Sequence, residues 1–259
     1  MTVFPRKELG QHFLADENIL GVIGRLAELD ERDAVLEIGP GLGVLTTYLA
    51  ERVGHVHAVE VDRSLAPRLQ DALGGRTNVE LHFDDALTVD LAALAPPPTK
   101  LVANLPYNVA TPLIVESLDG LPSVELWCVM VQREVADRFF ARPRTKAYGA
   151  VSVLVQLAAE RSGFHAVSRN VFRPRPNVDS ALVGFRRRGR LPAEYPEIKR
   201  LTGAAFAHRR KQLRNSLELV GFATADRAAA ALEQIGRDPS TRAEALAPGE
   251  FAALAAALR

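Results

Sequence analysis

"AVLEIGPGLGVLTTYLAERV", residues 34–53, moves from an apolar strand pattern through three alternating glycines into a helical pattern. Gly39, Gly41 and Gly43 free the backbone to turn tightly and to approach a ligand at the start of a helix, where unpaired N–H groups point outward. The spacing is G-x-G-x-G. It differs from the G-x-G-x-x-G that cradles a dinucleotide pyrophosphate, which argues against a hydride-transfer enzyme. A structural tight turn is the alternative reading of the glycines alone.

Working outward, strand and helix patterns alternate. "HVHAVEV" (55–61), "VELHF" (79–83), "KLVANL" (100–105) and "VELWCVMVQ" (124–132) read as strands, and "LAPRLQDAL" (65–73) as a helix between two of them. Thr111 and Pro112 read as the N-cap and first residue of a further helix. Upstream, Asp16 is placed to cap a helix carrying Ile19, Val22, Ile23, Leu26 and Leu29 at helical spacing. Repeated strand-helix units predict an α/β fold with a parallel, doubly wound sheet whose ligands bind beyond the carboxyl ends of the strands. Helical patterns at "REVADRFFA" and "YGAVSVLVQLA" and strands near "SGFHAV" and "DSALVGFRR" follow. Past "RRRGRLP" the periodicity is helical, including one stretch over 198–219, so a domain boundary is expected near 187–192.

The 259 residues suffice for one large domain with its own core and a small appended one. The single cysteine, Cys128, has no internal disulfide partner and sits in an apolar run, as a small hydrophobe in a reducing compartment would. No run of about 18 apolar residues is present, so a cytoplasmic protein without membrane association is expected. Net charge is only +1, but it is unevenly spread. Between Glu28 and Asp90 there are 13 Asp and Glu against 5 Lys and Arg; between Arg186 and Arg214 there are 10 Lys and Arg against 2 Glu. The basic stretch suits a polyanion, or else a solvated face.

The chemistry-bearing residues fall at predicted strand ends. Glu60 lies 21 residues after Gly39, where an acidic side chain accepts hydrogen bonds from ribose hydroxyls. Asp85, or its neighbour Asp84, follows the third strand and suits an adenine amino group. At the fourth strand end, Asn104 and the Leu105 carbonyl offer two acceptors for an exocyclic amine, Pro106 fixes the chain direction, and Tyr107 offers a stacking face. An aromatic amine is a poor nucleophile because its lone pair is delocalised, so alignment by two acceptors supplies rate without a strong base. A capped turn is the plainer reading of this corner.

In their order, "GQHFL", "EIGPGLGVLT", "VEVD", "DDAL", "NLPYN", "VFRPRPNVDSALV" and "RRKQLRNSL" resemble the S-adenosylmethionine-dependent rRNA adenine N6-dimethyltransferases, most closely the KsgA-type branch that modifies adjacent adenosines near the 3′ end of 16S rRNA. The resemblance runs from Gly10 to about Leu258. It implies a Rossmann-like S-adenosylmethionine methyltransferase sheet, mostly parallel with its last strand antiparallel, over residues 1–189, and a small carboxyl-terminal all-helical domain over 190–259 that binds rRNA. It places the cofactor on Gln11, His12, Leu14, Gly39, Gly41, Glu60, Asp85 and Asn104, and the target adenine between Tyr107 and Phe172. Two departures are His12, where many relatives carry asparagine, and Arg175, where relatives often carry proline. His208, Arg209, Arg210, Lys211 and Arg214 are expected on about two helical turns facing phosphate, with Arg144 and Lys146 extending the track.

The expected activity is therefore twofold N6 methylation of two adjacent adenosines in 16S rRNA within the small ribosomal subunit, by a cytoplasmic monomer needing no metal. The competing readings are a 23S rRNA dimethyltransferase of the macrolide-resistance type, a noncatalytic small-subunit assembly factor, and, more distantly, a dinucleotide oxidoreductase.

Overall fold

Residues 11–14 and 16–259 are described by a computed structural model. The amino-terminal residues through Gly10, which opens the GQHFL motif, lie outside the described residues. In chain order the elements are β1 (Phe13–Leu14), α1 (Glu17–Leu26), β2 (Ala34–Ile38), α2 (Val44–Ala50), β3 (His55–Val59), α3 (Ala66–Leu73), β4 (Val79–His82), β5 (Lys100–Asn104), α4 (Ala110–Gly120), β6 (Leu126–Gln132), α5 (Arg133–Phe139), α6 (Ala150–Ala158), β7 (Ala159–Val167), β8 (Phe172–Arg173) and β9 (Ser180–Arg187). Four more helices follow: α7 (Tyr195–Ala207), α8 (Leu213–Leu219), α9 (Ala225–Gln234) and α10 (Pro248–Ala257).

The main sheet has seven strands in the order β4-β3-β2-β5-β6-β9-β7. The pairs β2 with β3, β3 with β4, β2 with β5 and β5 with β6 are parallel, and β9 runs antiparallel to β6. This is the mostly parallel sheet with an antiparallel last strand that the resemblance implies. All five residues of β2 and the first six of β6 are buried, the continuous burial expected of strands covered on both faces. Trp127 in β6 stacks on Phe185 of β9 with ring centroids 5.3 Å apart, and its indole donates to Ser117 Oγ at 2.8 Å. Cys128 is fully buried, and burial pushes its thiol up to about 12, so it packs as a hydrophobe. Asp16 caps α1 by accepting from the Asn18 N–H at 2.9 Å.

The chain divides into two compact units, the first running to Ala136 and including Glu160–Arg187, the second made of Asp137–Ala159 and Arg188–Arg259. A single boundary at 189–190 is therefore corrected: Asp137–Ala159, expected in the first domain, packs with the carboxyl-terminal helices. The reason is apolar burial. Tyr148 and Val153 sit in one core with Leu201, Leu217, Leu246 and Phe251, and the Tyr148 hydroxyl donates to the Leu246 carbonyl at 2.8 Å.

Two helix expectations also change. α4 starts at Ala110 with Val109 as its N-cap, because the Pro106 carbonyl already accepts from the Val109 and Ala110 N–H groups at 3.1 and 3.0 Å. Thr111 and Pro112 thus lie inside its first turn. The helical stretch over 198–219 is broken between α7 and α8. Ser216 Oγ accepts from the His208 N–H at 3.2 Å and donates to the Ala204 carbonyl at 2.8 Å, and the Leu213 N–H donates to Thr241 rather than back along a helix. A buried hydroxyl and a long-range backbone bond outcompete the local helical ladder here. Replacing Ser216 with alanine is expected to leave both backbone groups short of a partner and to lower stability by ~1–2 kcal/mol, read as a lower urea midpoint with an unchanged m-value.

Candidate active site

Strand-end hydrogen bonds carry the sheet one residue past its regular edge. The Gly39 N–H donates to Val59 O at 2.9 Å, Glu60 N–H to His82 O at 2.8 Å, and Leu105 N–H to Met130 O at 3.0 Å. Each residue that leaves a strand is thereby held beside its neighbour. Together they line one cavity of about 200 Å³ with Gln11, His12, Leu14, Gly41, Asp84, Asp85, Asn104, Pro106 and Tyr107. The structure therefore brings together every expected cofactor residue. Asp84 and Asp85 are both exposed and both line the cavity, with Asp85 Oδ1 accepting from the Leu87 N–H at 2.9 Å.

The glycine loop owes its shape to positive φ at Gly39, Gly41 and Gly43, and to Glu60. One Glu60 oxygen accepts from the Gly41 N–H at 3.1 Å and the other from the Asp62 N–H at 2.9 Å. Burial nonetheless raises the Glu60 pKa. At Gly41, φ is +60° and a Cβ would sit 2.9 Å from the Phe13 ring, so only glycine fits.

Glu37, inside β2, was not singled out by its sequence. It lines the same cavity, its side chain is 1% exposed, and its Oε2 has no hydrogen-bond partner. Burial pushes its carboxyl up to about 8, and the Glu60 charge adds to the shift. Its only sequence signal was one acidic residue in an otherwise apolar strand. The described lining thus holds four acidic side chains, Glu37, Glu60, Asp84 and Asp85, of which burial keeps Glu37 neutral at pH 7, and no lysine or arginine. Such a wall repels a pyrophosphate and favours a ligand carrying positive charge.

At the fourth strand end, Asn104 Nδ2 donates to the His12 carbonyl at 3.1 Å. That carbonyl only accepts, so the amide is oriented with Oδ1 left as an acceptor. The His12 ring fixes its own position through Nδ1, 2.8 Å from the Pro174 carbonyl, and its centroid lies 5.4 Å from that of Tyr107. The carbonyl requires a proton on Nδ1 in the neutral ring, which settles the tautomer. The Tyr107 hydroxyl is 2.5 Å from Ser180 Oγ, and burial raises its pKa, so it stays a neutral phenol.

Phe172 departs from expectation. It is fully buried, does not line the cavity, and pairs with Leu14 in the two-stranded β1–β8 ladder. Its ring has no free face for a base, because the apolar side chain gains more from the core that also holds Leu14 and Val167. Arg175 is exposed.

Within the second unit, His208, Arg209, Arg210 and Lys211 lie on a loop and Arg214 in the first turn of α8, rather than together on two helical turns. Residues 208–212 form the turn between α7 and α8, and Arg209 pairs with Glu244 at 3.1 Å while donating to the Thr145 carbonyl at 3.1 Å. That contact places the 144–146 loop beside the 209–211 turn, an adjacency not visible in sequence. Arg144, Lys146, Arg210 and Lys211 are exposed; Arg214 is half-buried beside Gln212.

Two outcomes follow from this geometry. Gly41→Ala is expected to cost ~1–2 kcal/mol from the left-handed φ alone, seen as a lower Tm. Glu37 opposes folding only when ionised: its raised pKa leaves stability intact below the ordinary value of 4.5 and withdraws it as pH rises to about 8. Glu37→Gln is therefore expected to melt progressively higher than the parent between about pH 5 and about pH 8, in paired thermal scans without added ligand.

Residues 4–258 match the family of ribosomal RNA adenine dimethylases. The chain is 50% identical over 250 residues to the ribosomal RNA small subunit methyltransferase A of Rubrobacter xylanophilus, covering 96% of this chain and 94% of that one. It is 44% identical over 270 residues to the protein of the same name from Streptococcus pneumoniae, covering 98% and 92%. Among solved structures, a dimethyladenosine transferase from Plasmodium falciparum superposes with a TM-score of 0.75 at 23% identity over 94% of this chain and 96% of that one, a likeness of fold. The 23S rRNA methyltransferase ErmE gives 0.66 at 29% identity over 95% and 99%. The match over nearly the whole chain, on a sheet whose strand ends close one acidic cavity, makes this chain a member of the ribosomal RNA adenine dimethylase family.

Proposed function

We propose that this chain methylates N6 of two adjacent adenosines near the 3′ end of 16S rRNA, twice each, in the small ribosomal subunit, with S-adenosylmethionine as methyl donor. The observation that carries this reading is the Asn104 amide, held by the His12 carbonyl with its oxygen left as an acceptor at the wall of an acidic cavity. The residues present suit the donor: an acidic lining without a lysine or arginine among its described residues matches a cationic nucleoside, and the buried Glu37 carboxyl, with Oε2 unpartnered, meets a polar group.

When bound, S-adenosylmethionine supplies an electrophilic methyl group on a positively charged sulfur. Glu60 accepts from the ribose hydroxyls, which makes its burial at a strand end functional as well as structural. Asp85, or Asp84 beside it, accepts from the cofactor's adenine amino group. Asn104 Oδ1 and the Leu105 carbonyl accept from the target amine, turning its lone pair out of conjugation and toward the donor. Pro106, with a fixed φ and no N–H, holds that carbonyl's direction. Tyr107 supports the base through its ring; a neutral phenol tied to Ser180 is not the proton acceptor, and the proton leaves to solvent after transfer. Gln11, His12 and Leu14 close the cavity from the amino-terminal side.

Reaching N6 requires a nucleotide splayed from its helix. Stacking falls to Tyr107, and Phe172 anchors the β1–β8 ladder next to His12. Exposed Arg144, Lys146, Arg210 and Lys211 contact phosphates, while Arg209, paired with Glu244, and Arg214 shape that surface from beneath. The small-subunit choice rests on relatives at 44–50% identity that carry that name, against 29% for a 23S enzyme.

The deciding experiment is methyl transfer from labelled donor to isolated small and large subunits that lack this modification, with product sites mapped. Product is expected on the small subunit alone, and product on the large subunit would transfer the assignment to 23S rRNA. Asn104→Ala is expected to lower kcat by at least ~100-fold with little change in Tm. Tyr107→Ala is expected to lose ~1–3 kcal/mol of base stacking, whereas Phe172→Ala acts through a lower Tm. Charge reversal of Arg210 and Lys211 is expected to weaken subunit binding and to reduce the slope of log affinity against log salt by about two.

A further inference from the structure

Three of the chain's six histidines, none of which lines the cavity, meet on one patch of the sheet. His55 and His57 project from one face of β3 because they alternate along the strand, and Glu80 and His82 do the same on the neighbouring edge strand β4. The parallel register sets His57 opposite Glu80 and Val59 opposite His82. Glu60 follows Val59 with the opposite parity, so its side chain serves the other face.

We propose that His55, His57, Glu80 and His82 form a binding site for a divalent transition metal of the zinc class, clamping β4 to β3. A tetrahedral zinc with bonds of about 2.0–2.1 Å needs ligand atoms roughly 3.3–3.4 Å apart. His57 Nδ1 lies 3.3 Å from His82 Nε2 and 3.5 Å from Glu80 Oε2. His55 Nε2 and His82 Nε2 each lie 3.8 Å from a Glu80 oxygen. The ligand atoms of His55, His57 and Glu80 all fall within 4.8 Å of one another. Glu80 is half-exposed and His55 and His82 partly exposed, so these side chains have room to move toward a shared centre beside the buried His57.

The hydrogen bonding favours a metal over a purely hydrogen-bonded cluster. His57 Nε2 is 2.9 Å from the Pro96 carbonyl, which only accepts, so the proton sits on Nε2 and the Nδ1 lone pair faces the cluster. A backbone carbonyl orienting a ligand histidine in this way is the usual support of a metal site. A network without metal satisfies His57 and His82 but leaves the buried Nε2 of His55 with no partner. Three imidazoles and one carboxylate are a borderline donor set, suited to zinc or nickel and poorly suited to magnesium or calcium. This departs from the expectation, drawn from sequence and family resemblance, that the protein needs no metal.

The test uses the full chain, stripped with chelator and dialysed against zinc, with metal content measured alongside Tm. One equivalent is expected to bind saturably and raise Tm, magnesium at the same concentration is expected to leave Tm unchanged, and cobalt(II) is expected to give the visible absorption of a tetrahedral site. His55→Ala and Glu80→Gln are each expected to weaken zinc binding at least about tenfold. Glu80 is half-exposed, so its variant remains informative if His55→Ala melts early. Absence of saturable zinc binding, equal stabilisation by magnesium, or unchanged affinity in Glu80→Gln would overturn the site.

Discussion

Everything at the candidate active site depends on one constraint, that parallel strands ending together must satisfy the backbone of the residues that leave them. Gly39 bonds across to Val59, Glu60 to His82 and Leu105 to Met130, so the residue after each strand cannot drift from its neighbour. The functional side chains inherit that rigidity at no separate cost. A site assembled on four independent loops would have to order each loop separately, at about 1–2 kcal/mol per residue of backbone entropy.

Glu60 shows how one carboxylate joins structure to chemistry. Its two oxygens hold the glycine loop and the Asp62 turn, so the loop reaches its left-handed conformation with its N–H groups already partnered. The same oxygens retain lone pairs for a ligand hydroxyl. Asn104 works in the same manner, since one end of the amide is committed to His12 and the commitment decides what the other end offers. In both residues the protein contact sets the orientation that the proposed ligand contact would use.

Much of this was legible beforehand. The alternation of strand and helix patterns located β2 through β6 to within a few residues, and the strand-end position of Glu60, Asp85 and Asn104 placed them at one cavity. Glu37 was not legible, because an acidic residue in a buried strand looks like an interruption until its neighbours are known. The segment Asp137–Ala159 was misassigned because periodicity reports that a helix has an apolar face without reporting which core accepts it. The break after α7 is not legible because the bonds that make it pair residues beyond helical spacing, His208 with Ser216 and Leu213 with Thr241.

The sequence by itself determined the elements whose cause is local: glycines where φ must be positive, alternating residues where a strand has two faces, and a capping aspartate before α1. Only the tertiary structure decided which side of the protein each residue serves. It buried Phe172 beside Leu14, set the 144–146 loop against the 209–211 turn, and gathered His55, His57, Glu80 and His82 from two strands. Strand register and core packing make these choices, and both depend on residues far apart in the chain, whose pairing no local pattern encodes.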